Sequence, residues 1–305
     1  MWSLQSKGPK KVTWIDIVRP SVKDVEALKK VHNFHAVILE ELLHPSDRAK
    51  VDFDRNYLYL IYHAPIYDPE LRTSRRGEID FLITKTHVIT IRYEAIEPIE
   101  GFKQRLIGST DLRNHVFRST LHTTYQIIEE ILKFSHRQLR HIESNVEHIS
   151  KDIFAGRERE MLEKISYAKR DILDYSIISE PQAITLESFQ EVANQFWGAA
   201  AKIYTSDLVG DNRRILRRLK SYGATIESLE ATNGQLLSAS INLVIQRFTI
   251  LAFLTFPLAL FFAALATEHI GGFILKTPFR FWGIFLTLLI TEMLIVYFSK
   301  KKRYY

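Results

Sequence analysis

Ile241-Asn242-Leu243-Val244-Ile245-Gln246-Arg247 leads into Phe248-Thr249-Ile250-Leu251-Ala252-Phe253-Leu254-Thr255-Phe256-Pro257-Leu258-Ala259-Leu260-Phe261-Phe262-Ala263-Ala264-Leu265-Ala266, an almost unbroken apolar run. After a short loop a second run goes from Phe279 to Phe298 and stops at Lys300-Lys301-Lys302-Arg303. The core helix of a soluble protein rarely needs ~20 apolar residues in line, but crossing a hydrocarbon layer of roughly 30 Å at about 1.5 Å per residue does. The reading is a membrane protein with a large soluble part and two spans at its C-terminal end.

Two spans put both ends of the chain on one side. Arg247 and the cluster from Lys300 to Arg303 lie on the terminal side, against Lys276 and Arg280 on the loop side. The positive-inside bias therefore predicts both termini in the cytoplasm of a cell whose inner membrane holds the spans. Met1 to Lys11 is polar and lacks the apolar stretch of a signal peptide.

Charged residues make up 25% of the chain and are concentrated before Arg247. There is no cysteine, so a metal site has to use oxygen or imidazole ligands, which points toward hard cations. Much of the net charge of +6 sits in Arg213-Arg214, Arg217-Arg218, Lys220 and the tail cluster. Charge beside a membrane accounts for that placement with less strain than a nucleic-acid face with interleaved aromatics, and no nucleic-acid partner is expected.

Upstream of the spans the periodicity changes every ten to fifteen residues from Val12 to about Arg92. Val12 to Ile17, Tyr57 to Tyr62, Ile79 to Ile83 and His87 to Ile91 read as strands. Helices are expected from Pro20 to Lys30 and from Ala36 to Leu43, and Tyr67 to Gly77, with Pro69 and its charges, reads as a hairpin loop. From about Leu112 the strand signals stop. Long helical patterns cover Ser119 to Ile153 and Arg157 to Ile178, with another after Pro181 from Ile184 to Tyr204. The fold class is α+β, divided as an α/β domain over 1–111, a helical domain over 112–206, a stalk and first span over 207–266, a loop over 267–278, and the second span with its basic tail over 279–305.

Between Asp211 and Ala266 no proline occurs until Pro257, so the first span is expected to continue a helix of roughly 80 Å. Thr225, Ser228, Ala231, Gln235, Ser238 and Asn242 recur at helical spacing and are all small or polar, while Leu229, Leu236, Leu237 and Leu243 lie on other sides. Such a stripe is either a solvated surface or, if several copies surround an axis, the lining of a wet funnel.

The arrangement resembles the CorA family of divalent-cation channels and transporters. The resemblance rests on Trp14-Ile15-Asp16-Ile17 with Pro20, on His35 to Pro45 followed by Arg48 to Val51, and on the strands from Tyr57 to Tyr62 and Ile79 to Ile91. It continues through Lys164 to Leu173 and ends in Asn242, Thr249 to Ala252, Pro257-Leu258 and Val296 to Lys302. It implies a homopentamer in a lipid bilayer that carries magnesium or another divalent cation, with a cytoplasmic funnel and two membrane helices per subunit. The family's Gly-Met-Asn signature should fall nine residues past the matched proline, where this chain has Ala266, Thr267 and Glu268. Glu268 either supplies a carboxylate ring in place of the asparagine amides or is an ordinary polar loop residue.

Carried over position by position, the resemblance gives Asn242, Ile245, Phe248, Phe256 and Ala259 as pore-lining. The two phenylalanines would narrow and dry the path, unless they face lipid or the second span. It also gives Glu41 and Asp207 as carboxylates that meet across a subunit interface and hold a regulatory cation. Glu292, the one acid inside the second span, reads as an interhelical or snorkelling group, and His269 as a solvated loop residue. No phosphate loop, nucleophile elbow or zincin motif occurs, so no enzyme is expected. The competing function is a non-conducting, membrane-anchored interaction protein that kept this architecture.

Overall fold

In the computed structural model the described residues are 1–5, 11–267, 271–272, 274 and 276–301, and Glu268 and His269 lie outside them. The strands are β1 (Trp2–Gln5), β2 (Thr13–Val18), β3 (Lys50–Phe53), β4 (Leu58–Asp68), β5 (Thr73–Ile83) and β6 (His87–Arg92). The helices are α1 (Val22–Val31), α2 (Ala36–Glu41), α3 (Glu97–Gly108), α4 (Thr110–Val116), α5 (Thr120–Asp152), α6 (Glu158–Trp197), α7 (Ala201–Leu265) and α8 (Pro278–Lys301). The chain divides into two compact units, Met1–Ala231 and Thr232–Tyr305.

The first unit is built on one sheet of order β1-β2-β6-β5-β4-β3, in which only β2 and β6 run parallel. Leu58 to Ala64 and Ile79 to Ile83 are buried residue after residue because both sheet faces are covered. Ile17, Tyr59, Ile61, Leu82 and Ile91 pack on Leu28, Ile38, Leu39 and Leu42 of the short helices. Trp14, Leu60, Tyr62, Ile79 and Phe81 belong to a larger core with Phe102 of α3, Ile131 of α5, Tyr175 of α6 and Leu219 of α7.

One charged group is sealed into this core. Asp16 accepts from Thr90 Oγ1 at 2.7 Å, Arg92 Nη2 at 2.7 Å and Lys103 Nζ at 2.8 Å, and the side chains of Asp16 and Arg92 are fully buried. Burial would raise the Asp16 carboxyl, but the bonds and charge of Arg92, with Lys103 and Thr90, hold it below its ordinary value.

Two expectations are corrected. Tyr67 to Gly77 is mostly strand: β4 and β5 stay paired through Ile66↔Arg75, Tyr67↔Ser74 and Asp68↔Thr73, leaving 69–72 as the turn. The charged Arg75 and Arg76 are exposed side chains of a paired strand whose Thr73 and Ser74 are buried. Pro181 does not end a helix either, since α6 runs through it to Trp197. An internal proline costs about 3 kcal/mol, but Ile178, Gln182, Leu186 and Phe189 on its buried face hold the helix to the core. The break comes at Gly198, whose φ of 86° suits glycine.

In the second unit α7 continues through Pro257 and ends at Leu265, and the second apolar run forms α8. The ring of Phe261 lies 5.8 Å from Phe281 and 6.1 Å from Phe285, which fixes the side of α7 that meets α8. Among the described residues one helix, Ala201–Leu265, is long and apolar enough to cross a membrane.

Candidate functional site

The membrane portion of α7 has two distinct faces. Ile250, Leu254, Pro257, Leu258, Ala264 and Leu265 are half-buried, Phe261 is buried, and at 3.6 residues per turn all seven fall within an arc of about 120°. Asn242, Ile245, Phe248, Phe256 and Ala259 are all exposed and fill an opposing arc of about 120°. Phe248 and Phe256, 67% and 65% exposed, therefore point away from α8.

The polar stripe is continuous with that open face. Thr225, Ser228, Ala231, Gln235, Ser238 and Asn242 are exposed at every position, while Leu229, Leu236 and Leu237 are partly buried. Thr225 and Ser238 turn their hydroxyls back to the carbonyls of Ser221 and Gly234, at 3.0 and 2.9 Å, so their donors are satisfied and their oxygens remain available as acceptors. At the far end Ala266 and Thr267 donate their backbone N–H groups to Ala263 and Ala264, which winds α7 down in a turn.

The two candidate regulatory carboxylates have different neighbours within one chain. Glu41, at the end of α2, is 2.8 Å from Lys50 Nζ, which also reaches Asp52 at 2.9 Å. Burial acts to lower the Lys50 ammonium, yet its bonds to Glu41 and Asp52 outweigh it and raise the group above its ordinary value. A fixed ammonium thus already neutralises Glu41. Asp207, on exposed α7, accepts a hydrogen bond from the Tyr125 hydroxyl at 2.8 Å.

Two groups near this site had no sequence signal. Asp80 receives the hydroxyls of Tyr93 at 3.2 Å and Tyr59 at 3.4 Å, and its other carboxyl oxygen has no hydrogen-bond partner among the described residues. Burial, and then the neighbouring Glu78 carboxylate, push Asp80 well above the usual carboxylate range. Lys50 pairs with Glu41 across nine residues of sequence, and nothing in that spacing marks a pair. Glu292, on the buried side of α8, is 5% exposed and has one carboxyl oxygen without a hydrogen-bond partner among the described residues.

An α/β domain carried on the same chain as a helix long and apolar enough to cross a membrane is the architecture of a membrane protein with a large soluble part. The chain belongs to the CorA-like Mg2+ transporter protein family, whose pattern it matches over residues 9–302. It is 20% identical over 298 residues to the cobalt/magnesium transport protein CorA of Thermotoga maritima, covering 95% of this chain and 83% of that protein. It is 25% identical over 178 residues to the CorA protein of Methanocaldococcus jannaschii, spanning 58% of this chain and about half (55%) of that protein's length. The fold superimposes on the complete structure of the CorA magnesium transporter from Methanocaldococcus jannaschii with a TM-score of 0.79 at 18% identity, covering 97% of this chain and 96% of that one.

Proposed function

We propose that this chain is one subunit of a homopentameric divalent-cation transporter that carries magnesium or a related ion across the inner membrane and performs no enzymatic reaction. The observation that carries the reading is the two-faced α7: its apolar side is occupied by α8, and its other side joins the polar stripe to Asn242, Ile245, Phe248, Phe256 and Ala259 without a break. Copies arranged around an axis would put acceptor oxygens along a wet funnel and two rings of phenylalanine at a dry constriction, where conduction is gated by wetting.

In this reading α8 is the second span, both termini are cytoplasmic, and the domains follow the divisions 1–111, 112–206, 207–266, 267–278 and 279–305. Ala266, Thr267 and Glu268 form the entrance. Magnesium sheds its water reluctantly, so a carboxylate ring at Glu268 would recruit hydrated cations by charge and not strip them. Glu41 and Asp207 face each other between subunits, with Lys50 supplying part of the charge that a regulatory cation would otherwise supply.

The deciding experiment is magnesium and cobalt flux into liposomes holding the purified protein, with native mass spectrometry in mild detergent to count subunits. Flux from a pentamer, weakened by Glu268→Gln, supports the reading. A pentamer without flux that gains it when Gly-Met-Asn replaces Ala266, Thr267 and Glu268 supports the non-conducting interaction protein instead.

A further inference from the structure

Away from α7 the first unit holds a half-open cavity of about 510 Å3 between the β4–β5 turn, α5 and α6. Drug-sized ligands occupy cavities of roughly 300–1,000 Å3. Its walls carry four rings: Tyr67 from β4, His141 and His148 from α5, and Tyr167 from α6. Tyr67 and His141 are already paired at 4.3 Å between centroids, in a tilted arrangement.

The turn is built to hold a cation at this cavity. Asp68 Oδ1 accepts the backbone N–H groups of Glu70 and Leu71 at 2.9 and 3.1 Å, closing a tight loop. The next residue, Arg72, sits at a φ of 53°, a conformation that non-glycine residues adopt rarely and at a cost. Its guanidinium lies 5.0 Å over the Tyr167 ring, and no ion pair to a carboxylate is formed by it among the described residues. Lys164, on the same rim, is held by Glu160 at 2.8 Å and Asp152 at 4.0 Å. Arg72 is therefore the cation with unspent capacity for an anion.

Deeper in, the polar groups are of the mixed kind that reads an amide-like edge. Asn145 Nδ2 is 3.2 Å from His141 Nε2, and its carbonyl oxygen is free to accept. Asp171, 3% exposed, accepts from Ser74 Oγ at 2.8 Å. Burial pushes its carboxyl above the ordinary value, against the Ser74 bond and the charge of His141. No group of three or more metal-ligating side chains occurs among the described residues.

We propose that this cavity binds a nucleoside phosphate, its base against Tyr67, His141 and Tyr167, its edge read by Asn145 and Asp171, and its phosphate on Arg72. Flat aromatic walls with polar side chains between them suit a heterocycle. One unpaired guanidinium at the mouth suits a single phosphate, through a charge-assisted and bidentate contact. This site is separate from the transport reading and stands or falls without it.

The test is calorimetric titration of the full-length protein in detergent with adenosine monophosphate, in buffer free of divalent cations. One saturable site per chain is expected. Arg72→Gln, at an exposed position, weakens it about tenfold or more, the loss of one charge-assisted contact. Tyr67→Leu weakens it with the circular-dichroism spectrum unchanged, and if that variant misfolds the Arg72→Gln result decides. Adenosine and inorganic phosphate, each alone, bind at least about tenfold more weakly than the nucleotide, since each makes half of the contacts. Absence of saturable binding, an Arg72→Gln affinity equal to that of the natural protein, or phosphate binding as tight as the nucleotide would each overturn the assignment.

Discussion

Asp16 and Phe256 show two ways of completing a protein. Asp16 is fully buried and every strong partner it needs is in the same chain: Arg92, Lys103 and Thr90. Phe256 is an apolar side chain left 65% exposed on α7, and nothing among the described residues covers it. The first unit closes its own interactions. The membrane helices present theirs outward, as expected where lipid or further copies supply the other half of the contact.

The sharpest way to break that contrast is at its closed end. Asp16→Ala leaves the buried Arg92 guanidinium with Glu100 as its remaining carboxylate partner among the described residues, and a loss on the order of 3 kcal/mol is expected in denaturant melts. The same residue sets an acid limit. Because its folded carboxyl is held below the unfolded value, its contribution is present above the ordinary carboxylate range and is lost as pH falls through the folded pKa. An Asp16→Ala protein with unchanged stability would place the work of the core entirely in its apolar packing.

Asp80 has the opposite sign. Its folded pKa lies above the unfolded one, so its contribution is fully present below the ordinary carboxylate pKa and fades as pH rises through the folded value. Asp80→Asn mimics the protonated form and keeps an acceptor for Tyr59 and Tyr93. A gain on the order of 1 kcal/mol at pH 8, with a flatter dependence of melting temperature on pH, is the expected result. A loss at pH 8 would mean that the ionised form is the one the fold uses.

A smaller effect tests the boundary between the two modes. Lys50→Met removes a surface pair that is about a third exposed and costs less than ~1 kcal/mol, but it strips Glu41 and Asp52 of their internal cation. Millimolar magnesium should then protect this variant from limited proteolysis more than it protects the natural protein. Equal protection in both would leave Glu41 as a surface acid. The smallest stability effect belongs to Phe256→Ala, within about 0.5 kcal/mol of the natural protein, while ion flux rises several-fold as a dry constriction is opened. Unaltered flux would assign Phe256 to a lipid-facing role.

What could be read without coordinates follows the same division. Tyr57 to Tyr62 and Ile79 to Ile91 announce themselves through side-chain type, and the spans through length, because both signals are local. The charged residues of Tyr67 to Gly77 look like a turn, while the pairing of Tyr67 with Ser74 depends on two strands already aligned by their buried portions. Pro181 misled for a related reason: propensity is local, but the packing of α6 that overrides it is not. Pairs such as Asp16 with Arg92, 76 residues apart, leave no periodic trace. The stripe from Thr225 to Asn242 was legible as spacing, and the structure adds which side of α7 α8 takes.

Pro257 has a consequence for spectroscopy. Having no N–H, it cannot donate to the carbonyl of Phe253 one turn earlier in α7. Phe253 stands at the margin of the face that holds Phe256, in a stretch otherwise without polar side chains except Thr249 and Thr255. A carbon-13 label at that single carbonyl would absorb at higher frequency than the same label placed at a neighbouring helical carbonyl, as an amide lacking a donor does. Its band would then report, from inside the apolar segment, whether water or a hydrated ion has come within reach of the backbone.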